Sequence, residues 1–406
     1  MSNIFESFLS SPEMLEAFSA RNFLEAMLRF EASLARAQAS VGLIPEAAAQ
    51  SIIGTCKVEL FDVAKIERES GRAGSIAIPL VKSLRETVGL FNKEAAGFVH
   101  FGSTSQDVID TALVLVTRDA LRLIETDVNQ VIAALLILAE RHVADPMLAR
   151  TLMQPASVTS FGLKCSGWAA PLVRSRQRLE VASSNALSLQ LGGAVGTLAH
   201  MKGTGPQVIA LMAADLQLKA PLFGWHTQRD EWVALGCELG LLVGSLGKMA
   251  KDISLLGQFE VGEVAEPSEP GRGGSSAMPH KRNPAACMVA LAAAQRAPQR
   301  VAALLAAMPQ EHERALGNWQ AELAEWPGLL MSAHGSARAM AQALAGLQVD
   351  TQRMRANLGA LRAVLDPAVA QEWFRPAMAD QAAEMARAQV TALIRQTAVN
   401  ATKVMP

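Results

Sequence analysis

DVIDTALVLVTRDALRLIETDVNQVIAALLILAERHVA, residues 107–144, contains no glycine or proline and keeps apolar residues at helical spacing throughout. As one α-helix, its about 38 residues would reach roughly 55 Å. A helix that long cannot bury its apolar face inside a small domain and calls for equally long partners. Such partners can be read on its C-terminal side. Residues 227–263, 283–308 and 317–346 carry long helical patterns, and residues 13–39 read as one or two amphipathic helices. The 227–263 segment opens with Thr227 and Asp230 at capping-box spacing. Along it lie Gly236, Gly240, Gly244 and Gly247, at steps of three and four, the mark of a face that another helix approaches closely. Strand-like alternation is hard to find. The chain therefore reads as all-α, a long-helix bundle. Its expected division is a helical cap at 1–106, the bundle at 107–347 and a small helical tail at 348–406. Apolar residues on more than one face of the long helices point to burial by other subunits.

Bulk composition narrows the function. The chain has 406 residues, half of them apolar and 18% charged, with 37 basic and 38 acidic side chains for a net charge of −1. That is a globular composition with a large core. No basic excess points to nucleic acid or an anionic membrane. With no tyrosine and 5% aromatic residues, stacking platforms for bases are not expected. The longest apolar run, Val131 to Ala139, is too short to cross a bilayer, and the N-terminus lacks a signal-peptide pattern. Cys56, Cys165, Cys237 and Cys287 lie far apart and read as buried free thiols in a reducing, cytoplasmic setting. No His, Asp or Glu spacing suggests a metal.

Just before the long helix stands His100-Phe-Gly-Ser-Thr-Ser-Gln-Asp-Val-Ile-Asp110. Ser105 reads as its N-cap, with Asp107 and Asp110 in the first turn. Capping alone does not account for His100 and the three hydroxyls Ser103, Thr104 and Ser105. Beyond the helix comes Arg150-Thr-Leu-Met-Gln-Pro-Ala156, then the glycine-rich Gly192-Gly-Ala-Val-Gly-Thr197, which lacks the Lys-Ser/Thr of a phosphate loop. Trp225-His-Thr-Gln-Arg-Asp230 and Met308-Pro-Gln-Glu-His-Glu-Arg314 offer Gln228 and Arg314 as polar groups for a ligand. His142, His200 and His334 sit in no motif and read as structural.

The densest chemistry lies in Gly274-Ser-Ser-Ala-Met-Pro-His-Lys-Arg-Asn-Pro284. Glycines at 271, 273 and 274 make a mobile lead-in. Ser275 and Ser276 are followed by His280, Lys281 and Arg282. Asn283 reads as an N-cap and Pro284 as the first helical residue. Free N–H groups at that helix start, with Lys281, would favour an anion.

These segments, in this order, resemble the conserved regions of the fumarase/aspartase superfamily. The resemblance covers about residues 1–345. It implies Ser275 as the proton-transfer group, with Ser276 beside it and Lys281 and Asn283 on a substrate carboxylate. It also implies Thr104 and Ser105 on a second carboxylate, with His100, Ser103, Arg150, Thr151, Gln154, Gln228, His280 and Arg314 lining the site. One departure stands out. Leu152 occupies the place where fumarase and adenylosuccinate lyase carry a histidine, and a buried leucine cannot carry a proton. Most members are thereby set aside, while one branch, with an apolar residue there, fits. The resemblance implies a reaction without cofactor or metal on a small polycarboxylate, the intramolecular addition of a carboxylate to a double bond. It further implies a homotetramer with a twenty-helix core and sites built from three subunits. The alternatives are a fumarate-releasing lyase and a non-catalytic structural relative.

Overall fold

The computed structural model describes residues 4–269 and 271–401. Five long helices form its body: Ser105–Arg141, Phe161–Ala186, Asp230–Leu256, Ala285–Ala306 and Asn318–Ala345. They bury one apolar core that includes Leu135, Leu172, Leu239, Leu246, Leu329 and Met340. The first turns of Ser105–Arg141 belong instead to a second core. There Val108, Ala112 and Leu115 pack with Phe30 and Leu34 of helix Ala20–Ser40 and with Leu80 and Leu84 of helix Ala77–Phe91. A single helix thus runs through both cores, so the cap and the bundle share a rigid strut.

The glycines of Asp230–Leu256 set its spacing from Ala285–Ala306. A Cβ at Gly236 would lie 2.6 Å from Leu304, one at Gly240 2.8 Å from Val301 and one at Gly247 2.4 Å from Ala294. Residue numbers rise along one helix as they fall along the other, which is antiparallel packing. Gly244, expected on the same face, meets open space instead. Gly247→Ala should therefore destabilise by about 1–3 kcal/mol through overpacking. A lowered midpoint in thermal denaturation checks this, and an unchanged midpoint would show that the two helices can separate without cost. Asp230–Leu256 is also long and apolar enough to cross a membrane by composition. In this fold it is a core helix, with Leu239, Leu242, Val243 and Leu246 fully buried.

Several helix limits differ from those read in the sequence. The long helix starts at Ser105, so Ser105 is its first helical residue and Thr104 the cap, whose N–H donates to Asp107 at 3.0 Å. The segment expected at 227–263 is helical only from Asp230 to Leu256. Beyond it, Gly262 turns the chain at φ 59° and the Glu263 N–H donates back to the Leu256 carbonyl. Asn283 does not cap a helix, which begins at Ala285. Its backbone N–H is spent on the Gly273 carbonyl at 2.7 Å.

Two short antiparallel ladders interrupt the helices. Strands β1 (Pro146–Thr151) and β2 (Gln154–Ser160) form a hairpin, while β3 (Val264–Ala265) pairs with β4 (Gln348–Val349). Leu152 and Met153 make the hairpin turn, with φ of 49° and 66°. Positive φ at both positions is what a type I′ turn requires, and it is normally left to Asn and Gly. Two bulky residues there cost roughly 1–2 kcal/mol each.

Candidate active site

The expected site residues fall into two groups. Asp107 organises the first, at the N-terminal end of Ser105–Arg141. Its carboxylate accepts from the N–H groups of Gly192 and Gly193, both at 2.9 Å, and from Thr104 N–H; Ser103 Oγ lies 3.4 Å away. His226 Nε2 is 2.7 Å from Oδ1, the oxygen that also takes the Gly192 N–H. Gly193 is irreplaceable here, because its φ is 66° and a Cβ would lie 2.8 Å from the Gly102 carbonyl. The glycine-rich loop therefore holds a carboxylate of the protein itself. Arg314 reaches the same place and donates to Gln106 Oε1 and to the carbonyls of Gly193 and Ala194. Its guanidinium ties loops together. Thr104 and Ser105 remain half-exposed at this end. Beside them His226, Thr197, Gln228 and His312 line a cavity of about 650 Å³.

His100 enters this group with φ 61° and its Nδ1 2.5 Å from Glu31 Oε1. Burial pulls the imidazole pKa down, but the charge and hydrogen bond of Glu31, with Asp107 adding, more than offset it. The net shift is upward, against the opposing Arg85. A raised folded-state value means that the pair stabilises fully below the unfolded value, about 6.5, and loses this as pH rises through the folded one.

Gln228 is exposed, and its neighbour Arg229 is the buried residue. The Arg229 guanidinium lies between Asp110, at 2.8 and 3.2 Å, and Glu322, and 4.5 Å over the ring of Trp225. Trp319 Nε1 donates to Asp110 at 3.0 Å. Burial raises the Glu322 carboxyl above its usual range despite Arg229. Arg229, flanked by two acids that keep it charged, is pushed up. This network underlies the Asp107 group, because Gln106 bonds both Asp110 and the His226 carbonyl.

The second group lies at the opposite end of the bundle. Arg150 is engaged bidentately by the fully buried Glu263, at 2.8 and 3.0 Å, and Asn357 donates to the same carboxylate. Arg150 thus roots the hairpin. Thr151 and Gln154 stand exposed at the tip, and Leu152 is 97% exposed, where burial had been expected.

The serine loop leaves from this same end. Gly274 and Arg282 bridge its neck. Gly273, at φ 66°, is fixed as glycine because a Cβ would meet the Asn283 carbonyl at 2.4 Å. Within the loop, Ser275 Oγ accepts from the N–H groups of Met278 at 3.1 Å and Ala277 at 3.4 Å. Ser276, His280 and Lys281 are exposed and Asn283 is half-buried. Among the described residues, the side chains of His280, Lys281 and Arg282 form no ion pair. The helix start that was expected to draw an anion already has one, since Glu266 accepts from the N–H groups of Ala286 and Cys287. Cys287 is fully buried there; burial first, then Glu266, pushes its thiol up to about 12. Cys165 is buried too, while Cys56 and Cys237 are only partly covered.

Asp110 and Glu322 carry no signal in sequence beyond ordinary helix chemistry, and Glu31, Glu263 and Glu266 carry none at all. His226 and Arg229 sit inside the same motif as Gln228. His334 is structural as expected, with Ser11 Oγ 3.1 Å from its Nδ1.

The long-helix bundle thus carries hydroxyl and amide groups at one end and a glycine-necked serine loop at the other. The lyase family profile matches residues 8–298, and the chain belongs to that family. It is 46% identical to the 3-carboxy-cis,cis-muconate cycloisomerase of Pseudomonas aeruginosa, over 88% of this chain and 78% of that protein. It is 41% identical to the nitrosuccinate lyase of Streptomyces davaonensis, over 84% and 74%. The crystal structure of the 3-carboxy-cis,cis-muconate lactonizing enzyme from Pseudomonas putida superposes with a TM-score of 0.88 at 39% identity. That match covers 98% of this chain and all of the other.

Proposed function

We propose that the protein is a 3-carboxy-cis,cis-muconate cycloisomerase, closing its substrate to 4-carboxymuconolactone in protocatechuate breakdown. The observation that carries this reading is the pairing of a serine with a prepared alkoxide site and a hairpin tip without any titratable side chain. In the reaction a substrate carboxylate oxygen bonds to one carbon of a double bond. The displaced electron pair moves onto the neighbouring carbon and its carboxylate, and that carbon then takes a proton. Ser275 gives the proton, and the N–H groups of Ala277 and Met278 hold the resulting alkoxide. Solvent restores the serine, so one proton is taken up per lactone. The attacking carboxylate is already ionised at neutral pH. It needs no base, and Leu152 is therefore compatible with the chemistry where a histidine is not required. An amine or hydroxyl leaving group would need an acid.

Lys281 and Asn283 hold one substrate carboxylate, and Thr104 and Ser105 another. The last two are at one end of a 37-residue helix, with the serine loop at the other. About 55 Å of helix separates them, so one chain cannot supply both to one ligand. A homotetramer that brings opposite ends of different subunits together meets this requirement. The strained and exposed Leu152 and Met153, together with exposed Ile137, Leu241 and Met288 on the long helices, fit cover by other subunits.

The test is to follow the ultraviolet absorbance of the conjugated diene in weakly buffered solution with a pH indicator. Loss of the diene with one proton consumed per molecule is expected. A folded protein that leaves the diene intact would redirect the assay to substituted succinates such as nitrosuccinate.

A further inference from the structure

The loop 99–104 is pinned from several sides. Arg85 donates to the Val99 carbonyl at 3.4 Å, Gln38 to the Phe101 carbonyl at 2.7 Å, and Asp107 accepts from Thr104. Within it His100 holds a left-handed backbone conformation that non-glycine residues avoid. Such conformations persist only where the surroundings impose them, and they gather at functional positions. Glu31 holds the ring itself. It is 1% exposed, one of its oxygens faces His100 Nδ1, and the other has no hydrogen-bond partner among the described residues. A buried carboxylate needs a cationic or donating partner, and here the partner is this single imidazole. With Nδ1 engaged, Nε2 is the ring edge left to act, three residues before Ser103 and four before Thr104.

We propose that Glu31 is a positioning residue that fixes His100 so that its Nε2–H is offered to a substrate carboxylate beside Thr104 and Ser105. This rests on the polycarboxylate reading above. The charged groups around the ring come from three elements: Glu31 on Ala20–Ser40, Asp107 on Ser105–Arg141, and Arg85 on Ala77–Phe91. Two are negative and one is positive, so the surroundings favour a protonated ring with both N–H groups donating. Glu31 thereby tunes affinity, and the proton delivered to carbon still comes from Ser275.

Glu31→Gln keeps the side-chain shape and removes the charge. In the tetramer-competent full chain, KM for 3-carboxy-cis,cis-muconate should rise roughly ten- to a hundredfold at pH 8, the loss of one charge-assisted hydrogen bond. The rise should be smaller at pH 6, with kcat little changed. His100→Gln should raise KM similarly, and adding Glu31→Gln to it should do little more, because the two act as one unit. A lower melting temperature with unaltered KM and pH profile would reduce Glu31 to a structural role and overturn the proposal. Should Glu31→Gln fail to fold, the wild-type protein still decides. The ring C–H resonance of His100, titrated with and without propane-1,2,3-tricarboxylate, should shift and titrate at higher pH when the anion is bound; no change overturns the proposal. This binding arm is independent of turnover. Absence of diene loss in wild type would count against the cycloisomerase reading, and an unmoved His100 against the role of Glu31.

Discussion

Ser275→Ala lowers kcat/KM for the tricarboxylate by about 10²–10⁴-fold, the usual contribution of a positioned proton-transfer group, while the protein stays folded and assembled. The hydroxyl accepts from the N–H groups of Ala277 and Met278 within an exposed loop. Water can take over those two bonds, so the fold loses little. The neck of the loop is held elsewhere, by the Gly274–Arg282 bridge and by Asn283 N–H on the Gly273 carbonyl. Loop geometry and proton transfer are thus separable in this variant. Initial-rate kinetics alongside a sedimentation measurement check both halves. Near-normal turnover in an intact assembly would remove Ser275 from the mechanism and leave Lys281, exposed on the same loop, as the group to test next.

The second large effect is on stability. Arg229→Met leaves the carboxylates of Asp110 and Glu322 buried with no cation between them. Breaking a buried ion pair from one side costs about 3–5 kcal/mol. Methionine fills much of the volume over Trp225, so the loss is chiefly electrostatic. The sign of the pH dependence follows from Glu322, whose carboxyl burial already raises. Without Arg229 the folded state favours the protonated acid still more. The variant should therefore recover stability as pH falls through that raised value and lose it as pH climbs above. Thermal denaturation across that range measures this. A variant with all three charges removed, Arg229→Met with Asp110→Asn and Glu322→Gln, should be more stable than Arg229→Met alone at pH 8. Equal stability of Arg229→Met and wild type at pH 8 would mean that water reaches the two acids.

Much of the architecture was legible because helix periodicity is a local property. The 107–144 pattern falls within a few residues of Ser105–Arg141. The glycine steps in Asp230–Leu256 foretold three of the four close approaches. What failed were helix ends and charge partners. Asn283 and Pro284 have the right chemistry for a helix start, yet the chain spends Asn283 on closing the serine loop and caps the helix with Glu266 from another segment. Arg150 and Arg314 looked free for a ligand, because their partners, Glu263 and the carbonyls at 193 and 194, are more than a hundred residues away.

The sequence by itself determined the long helices, the serine loop and the order of the motif segments, since each depends on neighbours within a few turns of chain. Only the tertiary structure decided which charges are committed to the fold. Asp107, Arg229, Arg150 and Glu31 each acquire their partner through contacts that chain spacing does not encode. Tertiary structure also set the two groups of candidate site residues at opposite ends of one bundle. A rigid helix of 37 residues cannot bring its own ends together, and for that physical reason the proposed reading has other copies of the chain complete the site.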